Sequence, residues 1–106
     1  MNMAQAIKKH KGAGGHFFDK DTMRFFGSRL ETGLYAGRYF ITSESINGLT
    51  RSNDPDRKYT IREFGDDFKR IDDVGEFQEH KTLDEALAAL DEIIASNRGD
   101  VVPAAI

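Results

Sequence analysis

The sequence contains no cysteine and no tryptophan, and only two of its 106 residues are proline. Lack of cysteine excludes disulfide staples, a thiol nucleophile and every cysteine-based zinc or iron–sulfur site. No apolar run approaches the roughly 20 residues of a membrane-spanning helix, so no contact with a membrane is expected. Residues 1–11 also lack the apolar stretch of a secretory signal, which points to the cytoplasm. Nor does one sign of charge dominate. Fifteen Lys and Arg face 18 Asp and Glu, a net charge of −3 that disfavours a dedicated nucleic-acid binder. What is present is an ordinary supply of core material, 39% hydrophobic residues, enough for a single domain over 1–106.

The charge is unevenly placed. Residues 1–51 hold eight basic side chains against four acidic ones, and residues 57–98 hold seven against eleven. A polarised surface of this kind steers association with a partner of complementary potential; a simply solvated surface has the same composition.

Periodicity gives the elements. Met3, Ala6, Ile7 and His10 fall on one helical face, and Gly12, Gly14 and Gly15 stop that helix. A short second helix follows, with Asp19 or Asp21 as its N-cap and Gly27 at its end. Residues 30–35 and 38–43 read as a hairpin across Ala36-Gly37, with Tyr39 and Ile41 on one face and Phe40 and Thr42 on the other. A polar, turn-rich loop fills 44–56. A third strand spans 58–64, and a last one is expected over 68–78 with a bulge near Asp73. Thr82 and Glu85 form a capping box ahead of a helix whose stripe of Leu83, Ala86, Leu87, Leu90, Ile93 and Ile94 must be buried.

These elements predict an α+β fold: an antiparallel meander of three or four strands, the C-terminal helix packed on one face, and short N-terminal helices at an edge. Hairpin-length connections favour antiparallel pairing. The ordered core is expected over about 3–96, with a frayed tail over 97–106.

Few motifs carry chemistry. The glycines at 12, 14 and 15 follow a helix rather than a strand, so they read as a helix stop and not as a phosphate cradle. His16, Asp19 and Asp21 have metal-ligand chemistry but no spacing that fixes two imidazoles on one face, so no metal and no cofactor are called for. Ser28, Ser43 and Ser45 lack a nucleophile-elbow context, and no catalytic residue is assigned. Arg98-Gly99-Asp100 is a chance match to an adhesion tripeptide.

Two features stand out. The run 16–29 interleaves Phe17, Phe18, Phe25 and Phe26 with Arg24 and Arg29, the composition of a protein hot spot or a base-stacking platform; two of the four rings used as core would be the plainer reading. Asp84, Glu85, Asp91 and Glu92 lie off the buried stripe of the last helix and form an acidic face fit to imitate a row of phosphates, or simply to be solvated.

The run Gly15-His16-Phe17-Phe18-Asp19-Lys20-Asp21-Thr22-Met23-Arg24-Phe25-Phe26-Gly27-Ser28-Arg29, with Tyr39-Phe40-Ile41-Thr42-Ser43-Glu44, resembles a family of small uncharacterised proteins of phages, plasmids and other bacterial mobile elements. The likeness extends to Tyr59-Thr60-Ile61-Arg62-Glu63-Phe64 and Gly75-Glu76-Phe77. It implies a binder directed at the host or its defences, including an inhibitor of a CRISPR effector (an anti-CRISPR). Residues 58–94 also resemble, in topology, the three-stranded arm-binding domain of phage integrases, although Glu63, Asp72, Asp73, Glu76 and Glu79 would oppose a phosphate backbone.

The expectation is therefore a non-enzymatic interaction protein whose partner is a host protein. Its anchors would be Phe17, Phe18, Arg24, Phe26 and Arg29, and its specificity rim Glu44, Arg51, Asp84, Asp91 and Glu92. The alternative is a DNA- or RNA-binding protein that uses Arg38, Lys58 and Arg62 on the outer sheet face. Oligomeric state is not legible.

Overall fold

The computed structural model of the protein describes residues 1–45 and 57–99. Among these the chain runs α1 (Met3–Gly12), α2 (Lys20–Phe25), β1 (Arg29–Leu30), β2 (Tyr39–Glu44), β3 (Lys58–Phe64), β4 (Ile71–Val74) and α3 (Leu83–Gly99). The strands form one antiparallel sheet in the order β1-β2-β3-β4, so the architecture is the expected α+β meander. No helix among the described residues is long and apolar enough to cross a membrane.

Strand alternation divides the core in two. Tyr39, Ile41 and Ile61 face α3 and pack on its buried Ala86 and Leu90. Phe40 and Phe64, on the opposite face, pack on Met3 and Ala6 of α1. The sequence reading set the N-terminal helices at an edge; instead α1 covers the second face, while α2 buries no residue. The reason is the six-residue alternation of β2, buried at every position, which leaves both sides of the sheet in need of a cover.

Local chemistry explains the ends of the elements. Asn2 and Gln5 form a reciprocal capping box on α1, at 2.9 and 2.8 Å. After α1 the chain folds back over His10, which is buried. His10 Nε2 accepts from the Phe17 N–H at 3.1 Å, so the ring carries its proton on Nδ1 and donates to the Phe68 carbonyl at 2.7 Å. Gly15 is obligatory here, because a Cβ would overlap the His10 ring. At the hairpin, Ala36 (φ 51°) and Gly37 (φ 72°) give the paired left-handed residues of a type I′ turn, closed by Arg38 N–H to Tyr35 O at 3.0 Å.

Several expectations need correcting. Asp19 holds the N-cap position of α2 without a side-chain cap bond; its carboxylate accepts from His16 at 2.8 Å instead. The last strand is shorter than expected, Ile71–Val74, in continuous register with β3, and residues 75–78 turn away from it. The capping box of α3 is half as drawn: Thr82 Oγ1 accepts from the Glu85 N–H, but Glu85 reaches the Lys81 N–H rather than that of Thr82. The expected tail overlaps α3 as far as Gly99, and its remainder lies outside the described residues, as does most of the loop 44–56.

Candidate functional site

The sheet face toward α1 is not apolar throughout. In register on adjacent strands, Phe40 stands beside Arg62 and Thr42 beside Thr60, and Arg62 stands beside Asp73. Beyond the phenylalanines this face therefore carries a run of polar side chains, and Glu44, at the end of β2, has no solvent exposure.

A buried carboxylate is tolerable only when its lone pairs are filled. Glu44 Oε2 accepts from Thr42 Oγ1 at 2.6 Å, Ser28 Oγ at 3.1 Å and Arg62 Nη2 at 3.0 Å, and Oε1 accepts from Thr60 Oγ1 at 2.7 Å. The hydroxyls act as relays. Thr42 accepts from Arg62 Nε at 3.0 Å, and Thr60 accepts from the Gln78 N–H at 2.8 Å. Nearby, Arg57 Nη1 donates to Ser43 Oγ and to the Gly27 carbonyl. Burial, followed by the neighbouring Arg29 charge, holds the Arg57 guanidinium below its usual value.

Arg62 links this network to the surface. Its Nη1 donates to Asp73 Oδ1 at 2.6 Å, and its guanidinium lies 4.9 Å from the centre of the Phe17 ring and 5.6 Å from that of Phe77. Above it, Phe17, Phe26, Arg62, Asp73 and Phe77 line an open cleft of about 320 Å³. Phe77 is held there by its neighbour. Gln78 adopts φ 57°, a costly conformation for a residue with a side chain, and hooks its N–H to Thr60 and its Nε2 to the Glu44 carbonyl at 3.0 Å. The cleft rim continues outward: the Phe26 and Phe77 rings meet edge to face at 6.1 Å, and Phe25 packs on Phe26 at 4.9 Å. Phe25 is 73% exposed, Phe26 40% and Phe77 37%.

The residues singled out from the sequence thus separate. Phe17 and Phe18 are half-buried and pack on the Phe40–Phe64 cluster, so these are the two rings used as core, although Phe17 also walls the cleft. Phe26 is at the rim, and Arg24 lies exposed in the last turn of α2. Arg29 stands beside Ser43, on the α3 side of the sheet, and pairs with Glu31 at 3.1 Å. Glu44 is no rim residue: it is the buried hub of the network. Arg51 lies outside the described residues. Asp84, Asp91 and Glu92 are exposed, but on the helix that covers the opposite sheet face, so they do not adjoin the phenylalanines.

The alternative set does not assemble either. Arg62 is 8% exposed and held by Glu44 and Asp73; Arg38 is engaged by Asp66 at 2.7 Å and Glu63 at 3.5 Å. Lys58 is half-buried opposite Glu44. With a helix on each face, the sheet offers no open basic platform among the described residues. Sequence reasoning missed Phe77 and Asp73 as site residues. Phe77 follows a Gly75-Glu76 turn and carries no periodic signal; only its being a large aromatic in a polar segment marked it.

Residues 2–91 match a family described as a family of unknown function, DUF7447. The chain belongs to this family. The matched span contains every residue of the cleft and of the Glu44 network. No curated protein and no solved structure matches the chain.

Proposed function

We propose that this protein is a non-catalytic binding module that grips a partner protein through the aromatic rim of Phe25, Phe26 and Phe77. The observation that carries the reading is the cluster itself. Three large rings in edge contact stay accessible to water while the cleft below them is held by a buried polar network. Contiguous exposed aromatics of this kind are the usual anchors of protein interfaces, and the rigid scaffold lowers the ordering cost of binding.

The resemblance to proteins of bacterial mobile elements supports a host protein in the cytoplasm as the partner, and a defence component such as a CRISPR effector as its class. Inhibition would then be steric: the bound module covers a surface its target needs. Arg24, in the last turn of α2 beside Phe25, extends the anchor set.

The test is affinity capture from a bacterial lysate with the wild-type chain and with the Phe26→Ala/Phe77→Ala double variant. A protein enriched by the wild type should be lost with the double variant while circular dichroism is unchanged. Identical capture by both would overturn the reading.

A further inference from the structure

The cleft below the aromatic rim has a definite electrostatic character. Its charged lining is one guanidinium, Arg62, and one carboxylate, Asp73, and a second carboxylate, Glu44, lies buried behind Arg62. The two acids are not equivalent. Glu44 is fully buried and its oxygens are filled, whereas the Asp73 side chain is 34% exposed and only its Oδ1 is engaged by Arg62. Asp73 is thus the more exposed of the two carboxylates and the one that lines the cleft. The walls are Phe17, Phe26 and Phe77, whose faces carry partial negative charge and attract cations. Two of these rings already hold a guanidinium, that of Arg62 itself.

An anion entering here would meet ring faces, and the cation among the described lining residues, Arg62, is 91% buried and already shared between two carboxylates. A cation meets ring faces and the partly exposed Asp73 carboxylate. The volume, about 320 Å³, lies at the lower end of the range for ligand pockets, matching one inserted side chain rather than a large cofactor. Gln78 fixes the Phe77 wall in advance.

Resting on the protein-binding reading above, we infer that the cleft receives a basic side chain of the partner, arginine or lysine, with its stem against Phe26 and Phe77 and its charge on Asp73. The aromatic rim supplies apolar contact, and the cleft supplies selection for a basic surface. The acidic net charge of the chain acts in the same direction at long range.

The experiment is an amide NMR titration of the intact protein with three pentapeptides, Gly-Gly-Arg-Gly-Gly, Gly-Gly-Lys-Gly-Gly and Gly-Gly-Glu-Gly-Gly, all blocked at both ends. The arginine or lysine peptide should shift the signals of Phe17, Phe26, Asp73 and Phe77 at millimolar concentration, and the glutamate peptide should leave them unmoved. Asp73→Asn should weaken the basic peptide by about tenfold or more. Because Asp73 also supports Arg62, a second variant, Phe77→Leu, keeps the charge and removes one ring wall; it too should weaken binding severalfold. No response to either basic peptide, an equal response to the glutamate peptide, or full affinity in both variants would overturn the inference. Silent peptides together with capture that still depends on Phe26 and Phe77 would reject the basic occupant alone; capture independent of those rings would reject the protein-binding reading itself.

Discussion

Arg62 and Glu44 form a 3.0 Å ion pair inside the sheet, and the same guanidinium that neutralises Glu44 is the floor of the aromatic cleft. Stability and surface chemistry are thereby joined in one side chain. Arg62 is the counter-charge of the buried Glu44, and Arg62 needs Glu44 and Asp73 to stay beneath Phe17 and Phe77 rather than turn outward.

Removing one member of such a pair leaves an uncompensated buried charge, which costs about 3–5 kcal/mol. Glu44→Gln also turns one of the two oxygens that accept from Thr42 and Thr60 into a donor NH2 group. Urea unfolding should show a loss of that order, with the Phe77 ring signals shifted in the folded remainder.

On the other face, Leu90 is 1% exposed at the centre of the α3 contact, whereas Leu87 is only partly buried against the same cluster. Leu90→Ala should therefore cost about 2–5 kcal/mol, and Leu87→Ala distinctly less. Chemical unfolding of the two variants side by side measures the difference.

A Cβ at Gly15 collides with the imidazole that ties α1 to Phe17 and Phe68. Gly15→Ala should destabilise by about 1–3 kcal/mol through overpacking, where an exposed glycine-to-alanine change such as Gly12→Ala, inside α1, has open space to enter. Thermal melts of both variants check the contrast.

Asp67 accepts the Lys69 N–H at 2.9 Å, and backbone N–H groups, that of Lys69 foremost, hold its carboxyl below the usual range. A carboxyl lowered by folding stabilises the native state above its unfolded value of about 3.9 and loses that contribution as pH falls through the lower folded value. The stability gap between wild type and Asp67→Ala should accordingly be constant near neutrality and shrink on acidification below about pH 4. Unfolding curves over that acid range test it.

How much of this was legible in the sequence follows from which signals are local. The alternation Tyr39/Ile41 against Phe40/Thr42 placed each side chain on its correct face, because strand period is a local property. The stripe of α3 was equally plain. What alternation does not reveal is whether a polar residue on a face is wet. Thr42, Glu44, Thr60 and Arg62 form a buried network, since their partners, Ser28, Asp73 and Gln78, come from three other segments. The same gap put Arg62 among phosphate contacts and Glu44 in a loop rim. Among the four phenylalanines of 17–26, the sequence held no cue to which pair stayed exposed; the bond between His10 and Phe17 decides it by drawing the first pair under α1.

The most direct test of the account is site-specific photocrosslinking in a bacterial host, with p-benzoyl-phenylalanine placed in turn at Phe26, at Phe77 and at Asp91 on the opposite side of the sheet. The account predicts a discrete crosslinked protein from positions 26 and 77 and none from position 91. A crosslink from position 91 with none from 26 or 77 would contradict it.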